Sequence, residues 1–99
     1  MTNLMKTNYE YTGNATLNPL AIGLESEEGI QIVTVNLPDN IIPLRNDRAF
    51  YDINNAPISL LEEWLEDGKA IVIGQMSSGF CTYPLLQFDE SFIEKLEEI

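Results

Sequence analysis

The residues best suited to chemistry are either missing from this chain or poorly placed for it. There is no histidine, which removes the commonest general base and, with it, Ser-His-Asp and Cys-His catalysis in their usual forms. The single cysteine, Cys81, stands between Phe80 and Thr82 with no basic neighbour to lower its pKa, and a packed thiol is expected rather than a nucleophile. Carboxylates abound, but glycosidase-like acid/base work needs two of them facing across a cleft in unlike environments. No Cys/His cluster suits zinc, and no Asp-x-Asp-x-Asp-Gly loop suits calcium. Asp39-Asn40 and Asp52-Ile53-Asn54-Asn55 read as ordinary turn residues. Gly74-Gln75-Met76-Ser77-Ser78-Gly79 lacks the Gly-Lys-Ser/Thr ending of a phosphate-binding loop, and no helix follows it. It reads as a hairpin loop in which Met76, if exposed, would be a contact residue. The expectation is a protein that is not an enzyme and has no cofactor and no metal.

Charge is the unusual feature. Sixteen Asp and Glu face five Lys and Arg, for a formal net charge of −11 over 99 residues. A field of that sign repels nucleic acid and anionic lipid and attracts basic proteins. Direct nucleic-acid binding, which draws most of its affinity from Lys and Arg on phosphates, is not expected. No apolar stretch approaches the roughly 18 residues of a membrane span, and Met1 to Tyr11 has no signal-peptide pattern. One cysteine permits no internal disulfide, which fits a reducing compartment, so a cytoplasmic location is expected.

The elements that must position these residues form one domain over residues 1–99. Thr7 to Thr12 reads as a short strand, with the pattern of an edge. Leu20 to Glu25 and Ile30 to Leu37 read as a hairpin joined by Ser26-Glu27-Glu28-Gly29, with Val33, Val35 and Leu37 on one face. Ile41 to Asn46 is a connector containing Pro43, and Ala49 to Ile53 a fourth strand. A helix follows, capped either by Asn55 with Pro57 in its first turn or by a Ser59/Glu62 capping box, and stopped at Gly68. Lys69 to Gly74 and Phe80 to Phe88 are strands, the second an edge or bulged at Pro84. Asp89 caps a last helix from Glu90 to Glu98. The fold class is α+β: a mostly antiparallel sheet of about five to six strands in the order ββββαββα, with both helices on one face.

Helical spacing sorts each helix into two arcs. Ile58, Leu60, Leu61, Trp64 and Leu65 share one arc of the first, opposite Glu62, Glu63, Glu66 and Asp67. Phe92, Ile93, Leu96 and Ile99 share one arc of the second, opposite Glu90, Glu94, Glu97 and Glu98. Glu62–Glu66, Glu63–Asp67 and the Glu90–Glu94–Glu98 series put like charges four residues apart, which costs a few tenths of a kcal/mol per pair. Glu66, Asp67, Glu97 and Glu98 also fall in last turns, where the helix dipole favours cations. Solubility needs neither cost, so these eight carboxylates are the candidate partner-binding residues, set against the simpler reading of a solvated face.

Val35-Asn36-Leu37-Pro38, Ala49-Phe50-Tyr51-Asp52-Ile53-Asn54-Asn55, Trp64-Leu65-Glu66-Asp67-Gly68 and Ser78-Gly79-Phe80-Cys81-Thr82-Tyr83-Pro84-Leu85 resemble segments of a family of small uncharacterised proteins. That family is encoded on bacterial phages, plasmids and conjugative elements and carries a domain of unknown function. The resemblance covers about Leu20 to Phe88. It implies a mobile-element origin and transfers no active site. By analogy, small acidic proteins of such elements resemble DNA in charge and block host nucleases. The leading expectation is therefore an acidic binding or inhibitory protein that occupies a basic, nucleic-acid-binding surface on a partner such as a defence nuclease. The alternative is a structural or accessory protein that pairs through a sheet edge or an apolar patch, with acidity serving solubility.

Overall fold

A computed structural model describes residues 3–8, 20–35 and 47–98 of the chain. The β-branched segment expected to be one strand from Ile30 instead serves two sheets, and that division organises the fold. Its first half, β3 (Gly29–Ile32), pairs antiparallel with β2 (Leu20–Ser26), from Ser26↔Gly29 to Gly23↔Ile32. Its second half, β4 (Thr34–Val35), pairs with β5 (Arg48–Tyr51) through Thr34↔Tyr51 and Val35↔Phe50. Val33 lies between them and belongs to neither strand. Its N–H donates to the Ile22 carbonyl at 2.8 Å, and its own carbonyl accepts from Asp52 at 2.8 Å. The Thr34 hydroxyl accepts from the Ile22 N–H at 3.2 Å. One residue thus carries the chain from one sheet to the other with its backbone groups satisfied, as buried backbone requires.

Among the described residues the result is two four-stranded sheets rather than one of five to six strands. With β1 (Asn3–Asn8) and β8 (Glu97–Glu98), the first runs β3-β2-β1-β8. With β6 (Ala70–Ser78) and β7 (Cys81–Phe88), the second runs β4-β5-β7-β6. Strand β1 is therefore interior, antiparallel to β2 and parallel to β8, and not an edge. Of the strand expected over residues 7–12, positions 9–12 lie outside the described residues, as do Asn36, Leu37 and the connector at 41–46.

The segment read as a loop at Gln75 to Gly79 is mostly strand. Strand β6 runs through Ser78, and the hairpin closes in two residues, Gly79 and Phe80, between the pair Ser78↔Cys81. Gly79 has φ +62°, the geometry a tight turn of the II′ kind asks of its first central residue. Pro84 sits in a strand that is central over Leu85–Gln87, where β5 pairs with it, and this corrects the edge expectation. A two-residue turn makes its flanking residues a hydrogen-bonded pair, so alternation points the Pro84 nitrogen away from β6 and towards the β5 side. Having no N–H to give, Pro84 ends the β5 ladder at Phe50↔Leu85. The bulge lies on β6 instead, with Ile73 as the extra residue between Val72↔Leu86 and Gly74↔Leu85.

Helix α1 (Ile58–Glu66) starts at Pro57, which occupies the cap position without a side-chain cap bond. Neither expected cap forms: Asn55 is held in the preceding turn, its side chain bonding Asp52 at 3.1 Å. The expected stop does form. Gly68 has φ +71°, its N–H reaches the Leu65 carbonyl at 3.4 Å and that of Lys69 reaches Trp64 at 2.9 Å, which is the Schellman pattern. Only Leu61 and Trp64 of the helix are buried, while Ile58 and Leu65 are exposed, so the apolar arc is narrower than spacing suggests. Helix α2 is shorter than expected, Glu90–Glu94 rather than Glu90 to Glu98, because the chain turns at Lys95 and gives Glu97–Glu98 to β1.

Both helices close one core. Trp64, 1 % exposed, meets Tyr51 edge-on at 5.6 Å, Phe88 at 5.3 Å and Phe92 at 5.9 Å. Leu20, Ile22, Val33, Ala49, Ala56, Leu61, Ala70 and Leu86 complete the cluster, with Phe92, Ile93 and Leu96 among the residues packed against it. A second, smaller cluster of Phe50 and Leu85 lies on the other face of the second sheet, flanked by Val35, Met76 and Tyr83. Trp64→Ala is expected to lose about 3–5 kcal/mol, seen as loss of cooperative unfolding in a denaturant titration. The buried Tyr51 hydroxyl donates to the Pro57 carbonyl; burial pushes its pKa up to about 12, against a smaller opposing effect of the Leu61 backbone. A raised tyrosine pKa means that the unfolded chain loses this proton first as pH rises, so stability falls between about pH 10 and 12. Tyr51→Phe should lower stability by about 1 kcal/mol near neutral pH and flatten that alkaline fall in chemical denaturation.

Candidate interaction surface

All eight carboxylates singled out by helical spacing are exposed. On α1, Glu62, Glu63, Glu66 and the C-cap residue Asp67 keep their four-residue spacing, and no basic residue occupies the last turn to offset the dipole. The second set is arranged differently. Glu90 opens α2, where a negative charge suits the helix N-terminus, and Glu94 ends it. Glu97 and Glu98 lie in β8, beside Met5 and Lys6 of β1. The Glu90–Glu94–Glu98 stack is therefore not formed, because Glu98 is not on the helix.

The described basic residues offset this surface only in part: Lys6 and Arg48 are engaged inside the fold, and Lys69 pairs with one surface carboxylate. Lys6 donates from Nζ to the Ile93 carbonyl at 3.0 Å, at the C-terminal end of α2 where a cation is favoured. Lys69 lies 3.6 Å from Asp67 and 5.8 Å above the Phe92 ring. Arg48 is half-buried, its Nε enclosed without a hydrogen-bond partner, as is Oδ1 of Asp47. Lys95 is exposed. The Asp67–Lys69 pair is solvent-exposed and contributes little to stability.

A cleft of about 550 Å³ opens where β1, the end of β7 and α2 meet, lined among others by Lys6, Asp47, Asp89, Glu90 and Glu94. Among the described residues no group of three or more His, Cys, Asp or Glu is placed to hold a metal ion. Asp89 precedes α2 and accepts from the Ser91 hydroxyl. That bond, aided by the backbone of Phe92 and Ser91, holds its carboxyl below the usual range against a smaller opposing effect of desolvation. Cys81 is a half-buried free thiol opposite Ser78. Met76, expected as a contact residue if exposed, is instead half-buried against Phe50 and Leu85.

A second surface consists of residues not singled out from the sequence. Strand β6 is an edge of its sheet, and three consecutive apolar residues lie open on it: Ile71 at 56 %, Val72 at 51 % and Ile73 at 40 % exposure. Phe80, at the hairpin tip, is fully exposed. The signal that marks this surface is charge: residues 70–88 contain no Asp, Glu, Lys or Arg, the longest such run in the chain.

Comparison with protein families gives a match over nearly the whole chain. The family described as a domain of unknown function, DUF4313, matches residues 5–99. The chain belongs to that family. The match extends well beyond the stretch from Leu20 to Phe88 that carries the resemblance in sequence, and it takes in both helices and both sheets of this DUF4313 domain. No curated protein and no solved structure matches the chain. Among the described residues no helix is long and apolar enough to cross a membrane.

The Asp89–Ser91 contact gives a prediction for acid conditions. A carboxyl whose folded pKa is depressed contributes stability above its unfolded pKa and loses it as pH falls. Ser91→Ala should move the Asp89 pKa upward in a carbon-detected NMR titration and reduce the loss of stability on acidification below about pH 4.

Proposed function

We propose that this chain is a non-enzymatic, cytoplasmic binding protein that presents its carboxylate-rich surface to a basic surface of a partner protein. The observation that carries this reading is the unequal use of charge. The eight carboxylates of α1, α2 and β8 lie open to solvent, while Lys6 and Arg48 are drawn into the fold and Lys69 pairs with a single one of the eight, Asp67. The exposed field is thus more one-sided than composition requires, and such a field steers a basic partner and suppresses acidic ones. Proteins that bind nucleic acid carry basic surfaces of this kind. The resemblance to small proteins of phages, plasmids and conjugative elements favours a host defence nuclease as the partner, occupied in place of its DNA. The α1 face, where Glu62, Glu63, Glu66 and Asp67 keep helical spacing, is the stronger half of the surface.

Affinity capture from a bacterial lysate at about 50 mM and about 500 mM salt tests this, since screening lengths fall several-fold across that range. The expected result is an identified nucleic-acid-binding protein that is retained at low salt, lost at high salt and displaced by duplex DNA. Replacing Glu62, Glu66, Glu94 and Glu98 together by Gln should abolish its capture. A partner held equally at both salts, or by the Gln variant, overturns the reading.

A further inference from the structure

We propose that the open edge of β6 is a self-association surface, at which two copies of this chain pair antiparallel about a two-fold axis and join their second sheets into one. An edge strand presents unpaired N–H and C=O groups, a template for another strand. The two-residue turn makes Ser78 and Cys81 a hydrogen-bonded pair, so alternation turns the backbone groups of Gln75 and Ser77 to the open side. At nine residues β6 is long for an edge, and it carries none of the charged residues or prolines that guard such strands. Ile71, Val72 and Ile73 lie exposed along it. The bulge at Ile73 falls near the middle of the strand, and a two-fold axis there sets the bulges of the two copies against each other rather than against a regular strand.

Charge identifies the occupant. The chain carries a net charge of −11, yet the whole hairpin from Ala70 to Phe88 is neutral. A basic partner gains no Coulomb attraction along this edge. A second copy brings a neutral apolar strand of matching length, and the joined strands themselves carry no charge on either side. Symmetry also accounts for Phe80. Antiparallel pairing along the full strand carries the hairpin tip of each copy alongside the start of β6 in the other. There Gly68, Ala70 and Ile71 form one side of a hollow of about 170 Å³ whose other side is Gln87, Phe88 and Asp89, a seat for a ring that otherwise stands fully in solvent. The interface is isologous and closes on itself, because each copy offers the same edge to the other.

This association should have the opposite salt response to the binding of a basic partner. Two copies of like net charge repel outside the neutral strip, so screening strengthens the pair. In sedimentation equilibrium of the full chain, a monomer–dimer equilibrium is expected whose dissociation constant falls as salt rises. The double variant Ile71→Glu, Ile73→Glu should raise that constant by about a hundredfold or more, since like charges facing each other across an interface are strongly unfavourable. Gln75→Pro removes an outward N–H without touching the bonds to β7 and should also weaken the dimer. Circular dichroism of both variants checks that they fold, and the proline variant keeps the test decisive if the glutamates disturb the strand. Phe80→Ala should weaken the dimer on the order of tenfold. A monomer at every salt concentration, a dimer unmoved by the edge variants, or open-ended growth overturns the proposal. No second protein enters this experiment, so its failure leaves the acidic-surface reading standing, and the reverse also holds.

Discussion

The structure hangs on one side chain. Trp64 is the contact through which α1 touches β5, β7 and α2 together, by way of Tyr51, Phe88 and Phe92. Two of those rings, Phe92 and Tyr51, anchor short elements. Helix α2 has five residues, too few to be stable alone, and Phe92 ties it both to Trp64 and, stacked at 6.0 Å, to Phe88. Tyr51 ends the four-residue strand β5 and ties the start of α1 down through the Pro57 carbonyl. Edge-to-face contacts of this kind add roughly 0.5–1.5 kcal/mol each beyond the area they bury, a large share of the marginal stability of a small domain.

What was legible in the sequence was local. Gly68 as the end of α1, Leu61 and Trp64 as its buried face and the hairpin across Glu27-Glu28 all follow from residue chemistry within a few positions. What was not legible was set by distant pairing. Nothing in Ile30 to Val35 says that Ile32 looks to Gly23 while Thr34 looks to Tyr51, because β-branched residues suit either sheet equally. Pro84 shows the same limit. A proline in a strand signals a missing bond, but only the end of β5 tells which side of the strand lacks a partner.

The C-terminal acids show how a correct pattern can name the wrong element. From Glu90 to Glu98 the apolar residues Phe92, Ile93 and Leu96 keep helical spacing, and all three do pack on the core. The spacing is too short to distinguish a helix from one turn followed by an extended pair. Parallel pairing with β1 wins after Leu96, and Lys6 of that strand adds a bond to the Ile93 carbonyl, which also accepts from the Leu96 N–H at 3.0 Å. The candidate carboxylates thus remain exposed, but on a less regular scaffold than a helix, which shifts the weight of the acidic surface to α1.

The separation of charge is the feature that joins the two surfaces. A chain with sixteen acids and five bases has ample means to guard a sheet edge, and a single charge placed in β6 would do so. Instead the hairpin is neutral from Ala70 to Phe88, bounded by Lys69 and Asp89, whose backbones bond to each other at 2.8 Å. The consequence is directional. A strongly acidic chain cannot approach its own copy through its carboxylate faces, so the neutral edge is the approach with the least electrostatic work. The strands joined there carry none of the α1 carboxylates. Two identical acidic faces on one rigid body would then meet a partner with two basic sites far more tightly than one face alone, provided the spacing of the sites matches.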